Sequence, residues 1–348
     1  MPELFRTTIA RMRGYVPGKQ PQESGYIKLN TNENPYPPSP LVLERLRSVC
    51  DSDLRLYPDS DARTLRCKLA RVFAVDPAQI IVGNGSDELL NIIIRSFASE
   101  GDKIAYPSPT YGYYKPLIDI QGAEAIPVEF PTDYSLPAAL VTANARITFL
   151  ANPNAPSGTL IPYNEVAALC AAVAGVLVVD EAYVDFSAGG CIRLIDDHPN
   201  VIVVRTMSKS FSLAGMRIGF SFAPTSLVAG MWKVKDHYNV NRLSLVAAEA
   251  ALEEIDVMRT NAARIQKTRR RLSGRLRDLG FHVWDSHANF VLARSSRDAA
   301  ALYEGLQERK ILVRYFSEPP RLADCLRISI GTDAETDVLL AALTELLA

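Results

Sequence analysis

Between Val201 and Pro224 the chain reads VIVVRTMSKSFSLAGMRIGFSFAP, a β-branched run followed by a loop rich in groups that could do chemistry. The loop carries the hydroxyls of Thr206, Ser208, Ser210 and Ser212, the lysine Lys209 and the arginine Arg217. Hydroxyls beside a guanidinium suit a phosphate. A lone lysine among them has no evident structural duty. On residue types alone, a solvated serine-rich loop accounts for the segment equally well.

Three further stretches point toward the same kind of site. IIVGNGSDELLNIIIRSF reads as a strand, a glycine turn and an apolar helix capped by Ser86 or Asp87. The free amides and dipole of such a helix start attract an anion. GNGSDE is not GxGxxG and no acidic ribose partner follows it, so a dinucleotide fold is the weaker reading. A plain capped helix is the alternative. In GVLVVDEAYVDF an apolar strand ends in Asp180, with Glu181 and Tyr183 beyond it. Burying that carboxylate is costly unless something cationic or protonated meets it. The ring nitrogen of a pyridinium cofactor is one candidate; an arginine or a helix cap is another. FLANPNAPSGTL, by itself, is a rigid polar turn after a strand.

The elements that must position these loops follow from periodicity. Short apolar runs at Ile80–Val82, Lys103–Tyr106, Ala125–Val128, Ile147–Leu150, Val176–Val179, Val201–Val204 and Ile218–Phe222 alternate with helical patterns. That alternation predicts an α/β fold, with a mostly parallel seven-stranded sheet covered on both faces. Ligands of such sheets bind beyond the carboxyl ends of the strands, where the loops above should lie. After Leu245 the pattern predicts one long charged helix to about Leu279. Short strands at Phe281–Trp284, Asn289–Ala293, Ile311–Val313 and Leu326–Ile330 and two more helices follow, forming a smaller α/β unit. The expected division is an N-terminal arm over 1–47 packing with the small domain, a large domain over 48–245 and a small domain over 246–348. Residues 1–47, rich in Pro, Asn and Gly, cannot build a core of their own.

Composition narrows the class. The 348 residues are 48% hydrophobic with a formal net charge of -1, which gives no reason to expect nucleic acid or an anionic membrane. No apolar run approaches a membrane span, and MPELFRTTIARMRG lacks a signal-peptide core, so a cytoplasmic protein is expected. The five cysteines lack CxxC spacing and read as reduced; the four histidines are dispersed, so no metal site is expected.

NPNAPSG, VVDEAY and SKSFSLAGMRIG, in that order and spacing, resemble the fold-type-I pyridoxal-phosphate aminotransferases over nearly the whole chain. LNTNENPYPPSP, LYPD, GNGSDE, PTYGYY and LRISIGT narrow the resemblance to the histidinol-phosphate branch. It implies that Lys209 carries the pyridoxal 5'-phosphate as a Schiff base and later moves the proton from Cα to C4′. Asp180 would keep the ring nitrogen protonated, Tyr183 would bond the 3′-oxygen, and Tyr111 would stack on the ring. The phosphate would rest on the amides of Ser86 and Asp87, with Ser208 and Arg217. Tyr57 would reach it from the neighbouring subunit of a homodimer with shared active sites. Where this fold usually carries Asn before the Pro-Thr-Gly turn, the chain has Ala155. Asn154 is the expected substitute partner of the 3′-oxygen, with Asn152 behind it.

Arg327 matches the arginine that grips the substrate's anionic group, and Arg314 in ILVRYF would share it, since guanidinium forks fit phosphate and carboxylate alike. For Arg314 a surface salt bridge is the alternative. Tyr15, Asn34 and Tyr26 in the arm would close over the substrate. The implied reaction is transamination between histidinol phosphate and 2-oxoglutarate, giving imidazole-acetol phosphate and glutamate in histidine biosynthesis. An aromatic aminotransferase or a threonine-phosphate decarboxylase-like enzyme shares many of the motifs. The effector domain of a transcription regulator, which would append this fold to a basic module, fits poorly with the short arm and neutral charge.

Overall fold

The computed structural model describes residues 4–348. In chain order the strands are β1 (Ile27–Lys28), β2 (Ile80–Gly83), β3 (Lys103–Ser108), β4 (Glu124–Glu129), β5 (Ile147–Ala151), β6 (Val176–Asp180), β7 (Val201–Thr206), β8 (Gly219–Phe222), β9 (His282–Val283), β10 (Phe290–Arg294), β11 (Ile311–Leu312), β12 (Arg314–Tyr315) and β13 (Cys325–Ser329). Seven of them form the large sheet in the order β2-β8-β7-β6-β5-β3-β4. All its pairings are parallel except those of β8, which runs antiparallel to both β2 and β7.

The β-branched runs explain why this sheet sits in the middle. Every residue of β5 and β7 is buried. Side chains alternate between faces along a strand. Ile80, Val82, Leu177, Val179, Val201 and Val203 therefore enter one core, and Ile81, Val178, Ile202 and Val204 the other. The helix Ser86–Phe97 covers the second face with Leu89, Leu90, Ile92, Ile93 and Ile94. Each such side chain, fully buried, contributes about 1.5–3 kcal/mol. The carboxyl ends of β2, β3, β5, β6 and β7 and the start of β8 consequently share one edge.

The second sheet, β12-β13-β10-β9, is antiparallel and has its own core with Phe290, Leu326 and Ile328. Where one long helix is expected there are two, Arg242–Glu253 and Ile255–Asp278, broken at Glu254 (φ -113°, ψ 43°). Glu254 turns its carboxylate to the Leu41 amide, a tertiary contact absent from the local pattern. The first helix adds Leu245 to Leu252 to the core of the large sheet; the second adds Ala262, Ile265, Leu272 and Leu276 to the smaller one.

The N-terminal segment touches both bodies. Its β1 pairs in parallel with β11, and the Leu29 carbonyl accepts from the Ser329 amide. Farther back, Arg6 donates to the Ile120 carbonyl. The helix Pro40–Ser48 sends Val42 into the large-sheet core. No helix among the described residues is long and apolar enough to cross a membrane.

Candidate active site

The carboxyl edge of the large sheet is hollowed into a cavity of about 100 Å³ that adjoins a cleft of about 1110 Å³; Tyr111, Ala155, Tyr183 and Lys209 line both. Asp180 ends β6 at the wall of the smaller one and is 5% exposed. Its Oδ2 accepts from the Tyr114 hydroxyl at 2.9 Å and its Oδ1 from the Ala182 amide at 3.2 Å. Burial pushes this carboxyl up to about 6, against the pull of those two donors. So expensive a placement suits a protonated ring nitrogen.

Lys209 enters from the loop after β7. Its Nζ donates to the Thr31 carbonyl at 3.2 Å and lies 5.8 Å from the centre of the Tyr183 ring. Burial first, then the charge of Arg327, bring the amine down to about 8. Tyr183 receives a 2.9 Å bond from the Asn32 amide, and burial holds its phenol above the usual value.

The opposite end of the small cavity has the groups that can hold an anion. The helix Ser86–Phe97 is capped by Gly85, not by Ser86 or Asp87, and no side chain bonds its first turn. The reason is steric. Gly85 has φ +84°, and a Cβ there would meet Arg217 Nη2 at 2.5 Å. A Cβ on Gly219 would strike the Ser86 amide nitrogen at 2.4 Å. Two glycines thus let the helix start, the guanidinium and β8 approach one another. Arg217, itself left-handed at φ +53°, lies 3.3 Å from Asp87 Oδ2 and 3.4 Å from Ser208 Oγ. Asp87 also accepts from the Tyr111 hydroxyl at 2.9 Å.

Behind the lysine loop, Glu181 and Arg205 form a buried ion pair at 2.8 Å, with Asp185 3.6 Å from the same guanidinium and bonded by Ser210. This cluster ties the ends of β6 and β7 together. Arg205 is not marked by any motif; its signal in the sequence is a charged residue near the end of a fully buried strand, a place that calls for a carboxylate such as Glu181.

Several expected site residues stand elsewhere. Asn154 lines neither cavity: its amide donates to the Pro109 carbonyl and Ser157, and its oxygen accepts from Thr110. The neighbour that does face the cavity is Ala155, which offers no polar atom there. Asn152 closes the turn by exchanging bonds with Ile161. Asn34 is likewise absent from both linings; it bonds the Lys209 and Ser210 carbonyls and so holds the lysine loop. The arm lines the cleft instead with residues 11–18, Tyr15 among them, and with Asn30, Thr31 and Asn32. Tyr26 lies under Lys310, away from the cleft. Tyr57 is 80% exposed and stacks on Tyr238 at 4.4 Å, outside both cavities of this chain.

Arg327 and Arg314 both line the large cleft, as does Tyr15, which packs edge-on to Tyr111 and Tyr113. Arg327 donates to the Asn30 carbonyl at 2.8 Å, while its Nε is buried with no partner. A buried donor left unpaired is a cost that an anionic ligand removes.

Residues 24–343 match the family model described as aminotransferase class I and II. The chain is 43% identical over 350 residues to histidinol-phosphate aminotransferase 1 of Nostoc sp., covering 100% of this chain and 99% of that protein. It is 47% identical to the histidinol-phosphate aminotransferase of Geotalea uraniireducens, covering 98% and 99%. Among solved structures, the histidinol-phosphate aminotransferase of Sinorhizobium meliloti in complex with pyridoxal-5'-phosphate superposes with a TM-score of 0.89 at 29% identity, over 99% of this chain and 97% of that one.

Proposed function

The chain belongs to the class I and II aminotransferase family, and on that premise we propose that it moves the amino group of histidinol phosphate to 2-oxoglutarate. The products are imidazole-acetol phosphate and glutamate, a step of histidine biosynthesis. The observation that carries the choice of substrate is the pair Arg314 and Arg327 on the cleft wall, the latter with an unpaired buried Nε, in a chain similar end to end to proteins of that name.

The small cavity fits pyridoxal 5'-phosphate through its own residues. The buried Asp180 suits the ring nitrogen, and the bare start of the helix Ser86–Phe97 with Ser208 and Arg217 suits the phosphate. The lowered Lys209 amine suits the carbonyl. When bound, the cofactor supplies an electrophilic carbonyl and a ring that withdraws electrons from the substrate's Cα–H bond.

The protein's part is to bind, orient and move protons. Arg327 and Arg314 hold the substrate's phosphate, or a carboxylate of 2-oxoglutarate, with charge-assisted bonds. With the cofactor held there, that grip would set Cα near Lys209, whose neutral amine would take up the Cα proton and later give it back. Asp180 would keep the ring nitrogen of the bound cofactor protonated. Tyr183, itself bonded by Asn32, would donate to the cofactor's 3′-oxygen, and Tyr111 would cover the ring. The same reading makes the working unit a cytoplasmic homodimer in which Tyr57, exposed on each chain, reaches the phosphate site of its neighbour.

The test is the product formed. Given 2-oxoglutarate and, in turn, histidinol phosphate, threonine phosphate and phenylalanine, the protein should make glutamate with the highest kcat/KM from histidinol phosphate. Release of carbon dioxide from threonine phosphate, or a preference for phenylalanine, would overturn the assignment.

A further inference from the structure

Tyr114 begins the helix Tyr114–Gln121 and is completely buried. Its ring stacks on Phe149 of β5 at 4.7 Å and 14° and meets Tyr111 edge-on at 5.5 Å and 89°. Tyr106 of β3 closes a third side at 6.2 Å. These neighbours fix the plane of the ring and therefore the direction of its hydroxyl, which points at Asp180 Oδ2 from 2.9 Å. Tyr114 lines neither cavity. Its hydroxyl reaches the site through Asp180, while its ring touches the site through Tyr111.

We propose that Tyr114 is the positioning residue of Asp180, holding its carboxylate ionised and in one orientation so that the proton it shares with the cofactor stays on the ring nitrogen. The inference rests on the reading of Asp180 given above. A donor to a carboxylate favours its charged form. The opposing influences are burial and the like charges of Asp87 and Glu181, and among the described residues the only other bonded donor is the Ala182 amide. The phenol is itself driven well above its ordinary value by burial and by Asp180, so it remains a donor across the working range. Phenylalanine at this position keeps the ring contacts and deletes the bond. Asp180 then becomes the stronger base, the shared proton moves toward its carboxylate, and the ring withdraws electrons less well.

The experiment uses holoenzyme loaded with cofactor labelled with ¹⁵N in the ring, whose chemical shift reports protonation of that nitrogen. Asp180→Asn should move the resonance to the unprotonated position. Tyr114→Phe should move it part of the way in the same direction, lowering kcat about tenfold, the scale of one charge-assisted hydrogen bond, and changing KM by no more than about twofold. Phe149→Leu, which loosens the stack and keeps the hydroxyl, should retain the wild-type shift. If Asp180→Asn moves the resonance while Tyr114→Phe does not, or if Phe149→Leu moves it as far as Tyr114→Phe, Tyr114 merely packs and the proposal fails. A wild-type resonance in Asp180→Asn would remove the reading of Asp180, and this inference with it.

Discussion

Arg314 of β12 and Arg327 of β13 stand directly opposite each other on paired antiparallel positions. Like charges so placed destabilise a sheet, and their bonds go to carbonyls, not carboxylates. Arg314 donates to Val16 and Pro17, and Arg327 to Asn30. Burial lowers the pKa of the Arg327 guanidinium from its ordinary value. The pair faces the cleft with no carboxylate partner among the described residues, held in place by the backbone of the N-terminal segment, which is the arrangement an anion would need.

Arg327→Ala should therefore damage both half-reactions, because both amino donors place an anionic group there. Arg314→Ala should raise KM for histidinol phosphate more than for phenylalanine, since only a phosphate has oxygens to spare for the second fork. The loss expected for a desolvated contact is about 2–5 kcal/mol. Half-reaction kcat/KM values for each donor, at fixed ionic strength, check this. Equal losses on phosphorylated and unphosphorylated donors would show that Arg314 does not read the phosphate.

Asp180 has a measurable cost in the cofactor-free protein. The folded chain keeps this carboxyl proton up to about pH 6, whereas the ordinary value is 3.8. Unfolding therefore releases a proton between those values, and stability falls as pH rises through the window. Asp180→Asn should escape that fall, gaining roughly 2–3 kcal/mol above pH 6 and nothing below about pH 4. Denaturant titrations at the two pH values read it directly. In the loaded enzyme the same variant should lose several kcal/mol of transition-state stabilisation.

Lys209, brought down to about 8, should capture the cofactor with a rate that climbs as pH rises and levels off once the amine is neutral. Arg327 is one cause of the depression, so Arg327→Ala should move the midpoint upward. Stopped-flow capture by cofactor-free protein from pH 6 to 10 gives both midpoints. An unchanged midpoint would show that the two side chains are not electrically coupled.

The shared-site reading is tested by mixing. Tyr57→Phe should be weakened in cofactor binding, and Lys209→Ala should lose turnover. A hybrid dimer would regain one site with both residues intact, so activity should partly return on subunit exchange. No recovery after exchange is verified by mass would mean that each site is built from one chain.

The sheet was legible because buried parallel strands are apolar on both faces, and β7 and β6 announce themselves as VIVV and VLVV. The lysine loop and the Asp180 terminus were legible for a related reason: polar groups at the ends of such strands are conspicuous. Other features depend on contacts between distant segments. LVAAEAALEEIDVM continues a helical pattern straight through Glu254, and only its contact with Leu41 marks the break. Asn32 and Asn34 are indistinguishable in TNEN, yet Asn32 adopts φ +56° and bonds Tyr183 while Asn34 turns to the lysine loop. Asn154 and Ala155 are neighbours in a turn, so their side chains diverge. In PTYGYY, three tyrosines look alike, and the fold alone selects Tyr114 for Asp180.

The account turns on Lys209 being the amine that bears the cofactor. Borohydride reduction of the yellow holoenzyme, followed by proteolysis and mass mapping, should place the phosphopyridoxyl mass on the peptide containing Lys209. Lys209→Ala should take no covalent label and show no turnover. A label on any other lysine of the wild-type chain, or turnover by Lys209→Ala, would contradict the account.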